Sequence, residues 1–442
     1  MSSLLTNLSR LAPRGPNADL AASHSPEPSP PPPSAVVERG GGSAKGAMLD
    51  ELRARMQAVL ARAEKRDPRP EARLDAPELP FVTHDTPLGP LHVRIMRCTP
   101  AHTMGRVAIS PGRDAHADIL ALLALDPTLA SCDPKRALYL DTETTGLSGG
   151  AGTVAFLVGL ATWQPGPSGT HALEVEQLLV RNLGEEAPML ARVHERVRDA
   201  SMLVTFNGKS FDMPLLRARF VMARMEAPVE PPHLDLVHVA RRLHKARGVE
   251  CKLTTLERTL LGFERVDDVP GGEVAACYLH FLRTGDTRAM VGVVDHNAWD
   301  VVAMAALVGL YGEPLDESQL GADDLAGVAR TLKRAGALDQ AREVADRAAE
   351  ASPSEHTLKA RAEIAKARGD RARALADFEA LTGHVDCRKV RLELAKLYEH
   401  FSKDLERAKC VVEQGTAEDA PQAERRAARL TKKIAKKAER LF

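Results

Sequence analysis

Residues 137–152 read ALYLDTETTGLSGGAG, and this stretch decides the fold. The first four residues form a short apolar run of the kind that makes a buried strand. Asp141 and Glu143 follow at its end, two residues apart. Strand side chains alternate between faces, so both carboxylates aim at the same side. Two carboxylates so placed repel each other unless a cation sits between them. Hard divalent ions such as Mg²⁺ and Mn²⁺ favour such oxygen ligands. Taken alone, Asp-x-Glu also fits an exposed strand end.

Further along the chain, VAFLVGLATW and LEVEQLLV read as two more strands. Glu185–Ala200 reads as a helix, SMLVTF as a fourth strand and MPLLRARFVMAR as a helix. PPHLDLVHVARRL gives a fifth strand running into a helix. The order β-β-β-α-β-α-β-α starts with hairpin-length connections and continues with helical crossovers.

Two more motifs lie within this pattern. TFNGKSFDMP, residues 205–214, leaves the fourth strand and starts a helix, with Ser210 as candidate N-cap, Asp212 in the first turn and Pro214 just behind it. Its Gly-Lys-Ser is not a phosphate loop, because Leu203 stands where the motif needs glycine. DHNAWD, residues 295–300, reads as a polar helix start ahead of VVAMAALVGL. His296 and Asp300 are four apart and share a helical face, so a proton acceptor can stand beside a carboxylate.

With these motifs in order, the chain resembles the DEDD superfamily of 3′–5′ exonucleases, within the ribonuclease H-like fold. DTETTGL is similar to the first exonuclease motif, FNGKSFDMPLL to the second and HNAWD to the third. The details LDTETTGLSGGAGT and HNAWDV are closer to a bacterial ribonuclease H-like subgroup, some of whose members carry tetratricopeptide repeats. The resemblance spans about residues 136–312. It implies an α/β domain with a mixed five-stranded sheet flanked by helices. It also implies a metal-dependent exonuclease in which Asp141, Glu143, Asp212 and Asp300 hold two Mg²⁺ or Mn²⁺ ions.

In the same reading His296 accepts the proton of the attacking water. His-type members place that histidine five residues before the last aspartate. His296 lies four before Asp300, the register of the tyrosine in the other subtype, so it either takes the proton or orients the water. Substrate contacts are implied at Thr144, Gly146, Gly149, Gly150, Asn207, Lys209 and Asn297. Phe206, Phe211 and Trp299 are candidates for base stacking or for the core, Arg217 for a phosphate, and Asp235 for support of the site. The expected substrate is a single-stranded 3′ end, DNA or RNA. A processing endonuclease and a non-catalytic nucleic-acid-binding scaffold are the alternatives.

Composition bounds these expectations. The 442 residues allow two to four domains, and 60 basic against 60 acidic residues leave no net charge. Any basic footprint is therefore local. Aromatics at 4% argue against an extensive stacking platform. The six cysteines form no CxxC pair, which excludes a dense disulfide framework and fits a reducing compartment. No apolar run reaches the ~20 residues that span a bilayer, and the N-terminus shows no signal peptide. A soluble cytoplasmic protein with no membrane partner is expected.

The flanks divide the chain further. Residues 1–45 are a Pro- and Gly-rich tail, and 46–135 a mixed extension with a helix from Met48 to about Lys65, a strand pattern in PLGPLHVRIM and a helix over Ala115–Leu125. The nuclease domain is placed at 136–316. From 317 to 442 only helices are expected, with GALDQA, GDRARA and SKDLERA bringing Ala341, Ala374 and Ala408 to spacings of 33 and 34 residues. That period resembles tetratricopeptide repeats and makes this an all-α repeat domain with a protein partner. The basic end, ERRAARLTKKIAKKAERLF, is either a capping helix or a nucleic-acid contact.

Overall fold

A computed structural model describes residues 78–146, 152–166, 169–245 and 248–439. The tail, the helix expected from Met48, and Gly149 and Gly150 lie outside the described residues.

In chain order the elements begin with β1 (Val82–Thr86), β2 (Gly89–Cys98), a short hairpin of β3 (Thr103–Met104) and β4 (Val107–Ala108), and α1 (Ala117–Ala124). Then come β5 (Ala137–Thr144), β6 (Ala155–Pro165), β7 (His171–Leu179), α2 (Ala187–Asp199), β8 (Met202–Thr205) and α3 (Asp212–Met222). β9 (His233–Asp235), α4 (Leu236–His244), α5 (Leu253–Leu256), α6 (Gly271–Thr284) and the 24-residue α7 (Arg288–Tyr311) complete the α/β part.

The sheet is mixed, in the order β1-β2-β7-β6-β5-β8-β9. β5, β8 and β9 run parallel, and the other pairings are antiparallel. The five strands expected from 137 onward are all present. The described sheet has two more, because the β1–β2 hairpin from the N-terminal extension adds to the free edge of β7.

β5 is covered on both faces, and its alternation sorts the core. Leu138 and Leu140 pack with α2 and α3, while Ala137 and Tyr139 pack with α1, α4 and α7. Asp141 and Glu143 continue the Tyr139 face toward α7, and Thr142 continues the Leu140 face toward α3.

α7 begins eight residues before His296, so HNAWD lies inside a helix and not at its start. Its length and composition would let it cross a membrane, but most of it is buried in this core. Ser210 is not the cap of α3; Phe211 is, without a side-chain bond, and Ser210 N–H closes a turn on Asn207 O at 3.1 Å.

The remaining helices are α8 (Ala322–Arg334), α9 (Leu338–Ala351), α10 (Glu355–Arg368), α11 (Arg371–Thr382), α12 (Arg388–Leu397), α13 (Leu405–Glu413) and α14 (Ala420–Ala438). Ala341, Ala374 and Ala408 are each the fourth residue of the second helix of a pair, and each is fully buried. Five residues before each stands a left-handed residue: Gly336, Gly369 and Lys403. The period read from sequence is therefore a period of backbone geometry.

The boundary expected at 317 is not a break in packing. Leu325, Val328, Ala329 and Leu332 of α8 share one core with Leu236, Val239 and Leu243 of α4. A Cβ on Gly327 would stand 2.2 Å from the carbonyl oxygen of Leu243, so only glycine allows this approach. Beside it, buried His244 bonds Asp324 Oδ1 through Nδ1 at 2.6 Å and the Tyr311 hydroxyl through Nε2 at 2.9 Å.

The basic C-terminal helix spends much of its charge internally. Arg426, Arg429 and Lys433 of α14 all bond the buried carboxylate of Glu399, at 2.8–2.9 Å.

Candidate active site

Three segments meet beyond the carboxyl end of β5. β5 brings Asp141 and Glu143, the first turn of α3 brings Asp212, and the middle of α7 brings His296 and Asp300. Glu143, His296 and Asp300 each offer a ligand atom within 4.8 Å of the others. His296 Nε2 lies 3.8 Å from Glu143 Oε1 and 3.6 Å from Asp300 Oδ2.

The electrostatics show how crowded the acids are. Burial, then the Asp300, Glu143 and Asp212 charges, raise the Asp141 carboxyl well above its ordinary range. Burial, together with Asp300 and Asp212, pushes Glu143 up to about 8 despite the opposing His296 charge. Burial raises Asp212 to about 6, against hydrogen bonds from Thr142 and the backbone that favour its charged form. Burial disfavours a charged His296, but a hydrogen bond to Asp268 and the Asp300 and Glu143 charges outweigh it and lift the ring to about 9.

Two of the carboxylates, Asp212 and Asp141, are held from behind. Thr142 Oγ1 donates to Asp212 Oδ1 at 2.5 Å. Asn297 Nδ2 donates to Asp141 Oδ2 at 2.8 Å, and Gln177 Nε2 donates to Asn297 Oδ1 at 2.9 Å. Arg94 of β2 donates in turn to Gln177 Oε1 at 3.0 Å, so the edge hairpin reaches the site through this chain. Asn297 was expected at the substrate. It is fully buried instead, and its amide is occupied by Asp141 and Gln177.

The second motif is shaped by Asp235, which is buried at the N-cap of α4. It accepts the backbone N–H of Asn207 at 2.7 Å, of Lys209 at 3.1 Å and of Val237 at 3.2 Å. Asn207 is left-handed, with φ 72°, which turns the chain toward Asp235. Lys209 is half-exposed, 3.9 Å from Asp126. Arg217 forms a bidentate pair with Glu230 at 2.6 and 2.8 Å, so it is not a free phosphate contact. Thr144 Oγ1 donates to Gly146 O at 2.9 Å, which shapes the start of the loop. Phe206 and Trp299 pack partly against the core, and Trp299 is flanked by Phe263 and the Arg265 guanidinium.

Sequence reading missed Glu257, Arg265 and Asp268. Arg265, almost wholly buried, is pinned by Glu257 at 2.5 and 2.7 Å and reaches Asp300 Oδ1 through Nη2. Asp268 Oδ1 accepts from His296 Nδ1 at 2.7 Å, which leaves Nε2 facing the carboxylates. No periodicity marks this connection between α5 and α6, and Glu257, Arg265 and Asp268, at successive spacings of eight and three residues, carry no pattern of their own.

The donor set fits a divalent cation. Oxygen-rich, mutually repelling and partly protonated without one, these carboxylates gain from a positive charge among them.

Comparison with known proteins agrees with the fold. Residues 138–311 match the family model described as the RNase_H superfamily. The chain is 32% identical over 309 residues to "Uncharacterized protein YprB" of Bacillus subtilis (strain 168), covering 67% of this chain and 73% of that protein. The superfamily points to nuclease action on nucleic acid, generally with divalent metals. With the mixed sheet, the flanking helices and this acidic centre in place, the chain belongs to the RNase_H superfamily.

Proposed function

We propose that the protein is a divalent-metal-dependent 3′–5′ exonuclease acting on single-stranded nucleic acid. One observation carries the reading: four carboxylates from three separate segments converge beside His296, whose outer nitrogen Asp268 has already engaged. Asp141, Glu143, Asp212 and Asp300 would hold Mg²⁺ or Mn²⁺, which when bound acidifies the attacking water and offsets charge on the departing 3′ oxygen.

The chain's own residues do the rest. Asn297 and Thr142 fix the rotamers of Asp141 and Asp212. Arg265 fixes Asp300. Asp268 holds the His296 ring with Nε2 toward the centre, where it takes a proton. In the cation-free site the surrounding carboxylates keep that ring protonated, so it becomes a competent base once their charge is neutralised. The backbone at Thr144–Gly146, with Asn207 and Lys209, is the surface we assign to the terminal nucleotide. The paired helices after α7 are read as tetratricopeptide-like. The six free cysteines fit a reducing compartment, which supports a cytoplasmic location.

The test is direct. Purified protein is mixed with 5′-labelled single-stranded DNA or RNA, with and without Mn²⁺ or Mg²⁺. A ladder shortening from the 3′ end that needs metal and disappears in Asp141→Ala is expected. Internal fragments only would replace the exonuclease reading with an endonuclease one. No metal-dependent cleavage of either polymer would reject it.

A further inference from the structure

The zero net charge of the chain conceals an uneven distribution. Residues 321–442 hold 26 Lys and Arg against 21 Asp and Glu, so this region is positive and the remainder negative by five charges each. Part of that charge gathers in one concavity. A cavity of about 510 Å³ opens among the first helices of the pairs and is lined by Lys333, Lys359, Lys366 and Lys389, over a floor that includes Phe378 and Val390.

Two of these lysines are compensated. Lys333 pairs with Glu363 at 3.1 Å, and Lys366 pairs with Glu393, which Lys396 also approaches at 2.9 Å. Lys359 and Lys389 have no ion pair among the described residues. The groove thus presents four ammonium groups to two carboxylates. A surface with that excess is complementary to a polyanion. Phe378 is too deeply buried to stack on a base, so the groove offers charge and shape without base selection.

The groove is rigidly joined to the site. Lys333 lies on α8, whose opposite face shares the nuclease core through Gly327 and Leu243. A strand held in the groove is therefore held in the same body as the carboxylates.

We infer that the lysine-lined groove of α8, α10 and α12 is a second contact for the nucleic-acid substrate, gripping the phosphate backbone upstream of the 3′ end. This rests on the reading that the chain acts on nucleic acid. The groove then adds affinity only for strands long enough to reach from the site, without sequence preference.

The experiment compares the full chain with Lys359→Glu/Lys389→Glu, in the presence of Ca²⁺, by fluorescence anisotropy on labelled single strands. Strands of about 6 and about 30 nucleotides lie near the low end of the site sizes of single-strand-binding proteins and well beyond the high end. The wild type should bind the long strand more tightly than the short one. The double reversal should weaken long-strand binding about tenfold and lower the salt slope by about 1.4, at ~0.7 per phosphate contact on single strands. Should the reversed chain melt early, Lys359→Gln/Lys389→Gln reports the same loss at smaller size.

Equal long-strand affinity in variant and wild type overturns the groove and leaves the nuclease reading standing. No oligonucleotide binding by the wild type overturns both. Loss of polyglutamate binding with nucleic-acid binding unchanged assigns the groove to an acidic protein partner and overturns the inference.

Discussion

Asn297 and Gly159 occupy one space: a Cβ on Gly159 would lie 2.5 Å from the Asn297 side-chain oxygen. The glycine on β6 is what lets the amide lie flat against the sheet and hold Asp141. Gly159→Ala should therefore push Asn297 away and cost about 1–3 kcal/mol, the usual range for overpacking. Asn297→Ala should remove the support without the clash. Both should weaken Mn²⁺ binding measured by calorimetry. Unchanged Mn²⁺ affinity in a folded Asn297→Ala would show that Asp141 needs no support.

The carboxylates themselves should be indispensable. Asp141→Ala, Glu143→Ala, Asp212→Ala and Asp300→Ala should each abolish metal-dependent cleavage while the circular dichroism stays that of the parent. General-base assistance is worth ~10²–10⁴-fold, so His296→Ala should lose about that much. A smaller loss, with partial activity in His296→Tyr, would mean that the ring orients water and leaves the proton to another group.

Cation binding should release protons. Glu143 is held up to about 8 and is mostly neutral at pH 7, whereas a ligand must be ionised. The sign is fixed: a raised carboxyl binds a proton that the cation expels, so release is large below pH 8 and fades above it. Titrations with Mn²⁺ in two buffers of different ionisation heat measure it. Identical heats at pH 7 would contradict the crowded-carboxylate picture.

Arg265→Gln should leave Glu257 buried without a partner, a defect of about 3–5 kcal/mol. The pair Glu257→Gln/Arg265→Gln avoids that cost and isolates the effect on Asp300. It should fold and lose cleavage rate, with a smaller change in KM. Asp268→Asn should lower the rate while leaving Mn²⁺ affinity near the parent value.

Glu399 gives a separate acid response. Burial opposes its charge, but Arg429 and Lys433 outweigh this and depress its carboxyl to about 2 from an ordinary 4.5. A depressed acid contributes stability fully above pH 4.5 and loses it as pH falls toward 2. Helix content followed at 222 nm should drop in that window as α14 comes away. Glu399→Gln should remove the step; the same transition in that variant would place its origin elsewhere.

Where the chain is cut should matter. Ending it at 316 removes Leu325, Val328 and Leu332 from the shared core, at ~1.5–3 kcal/mol each. That loss rivals the whole stability of a domain, ~5–15 kcal/mol. A chain ending at 383 keeps both helix pairs nearest the sheet. Its thermal midpoint should lie well above that of the 316 chain, and equal midpoints would show α8 to be dispensable.

The sequence made the strands from Ala137 onward legible because their apolar runs are set by burial on both faces. Asp141, Glu143, Asp212, His296 and Asp300 were legible because each sits at a fixed offset from such a run. The supports were not. Gln177 looks like one more polar residue in an alternating strand, and Arg265 and Asp268 sit in a connection without period. Their partners lie 35 residues away or more in the case of Asp300 and Asn297, so only the folded chain shows the pairing. Asn297 was expected at the substrate from its place in HNAWD; the helical turn puts it against the sheet, bonded to Asp141 and Gln177.

The close approach of Gly327 to Leu243 has one more consequence. α8 packs on α4 at backbone distance, so on the proposed reading the fold sets the span from the lysine groove to the carboxylates. On that reading the protein is a ruler. If the site trims from the 3′ end and the groove grips the strand, as proposed, a shortened strand lets go of the groove at one particular length, and digestion should slow there, leaving residual oligonucleotides whose size records the geometry of the fold.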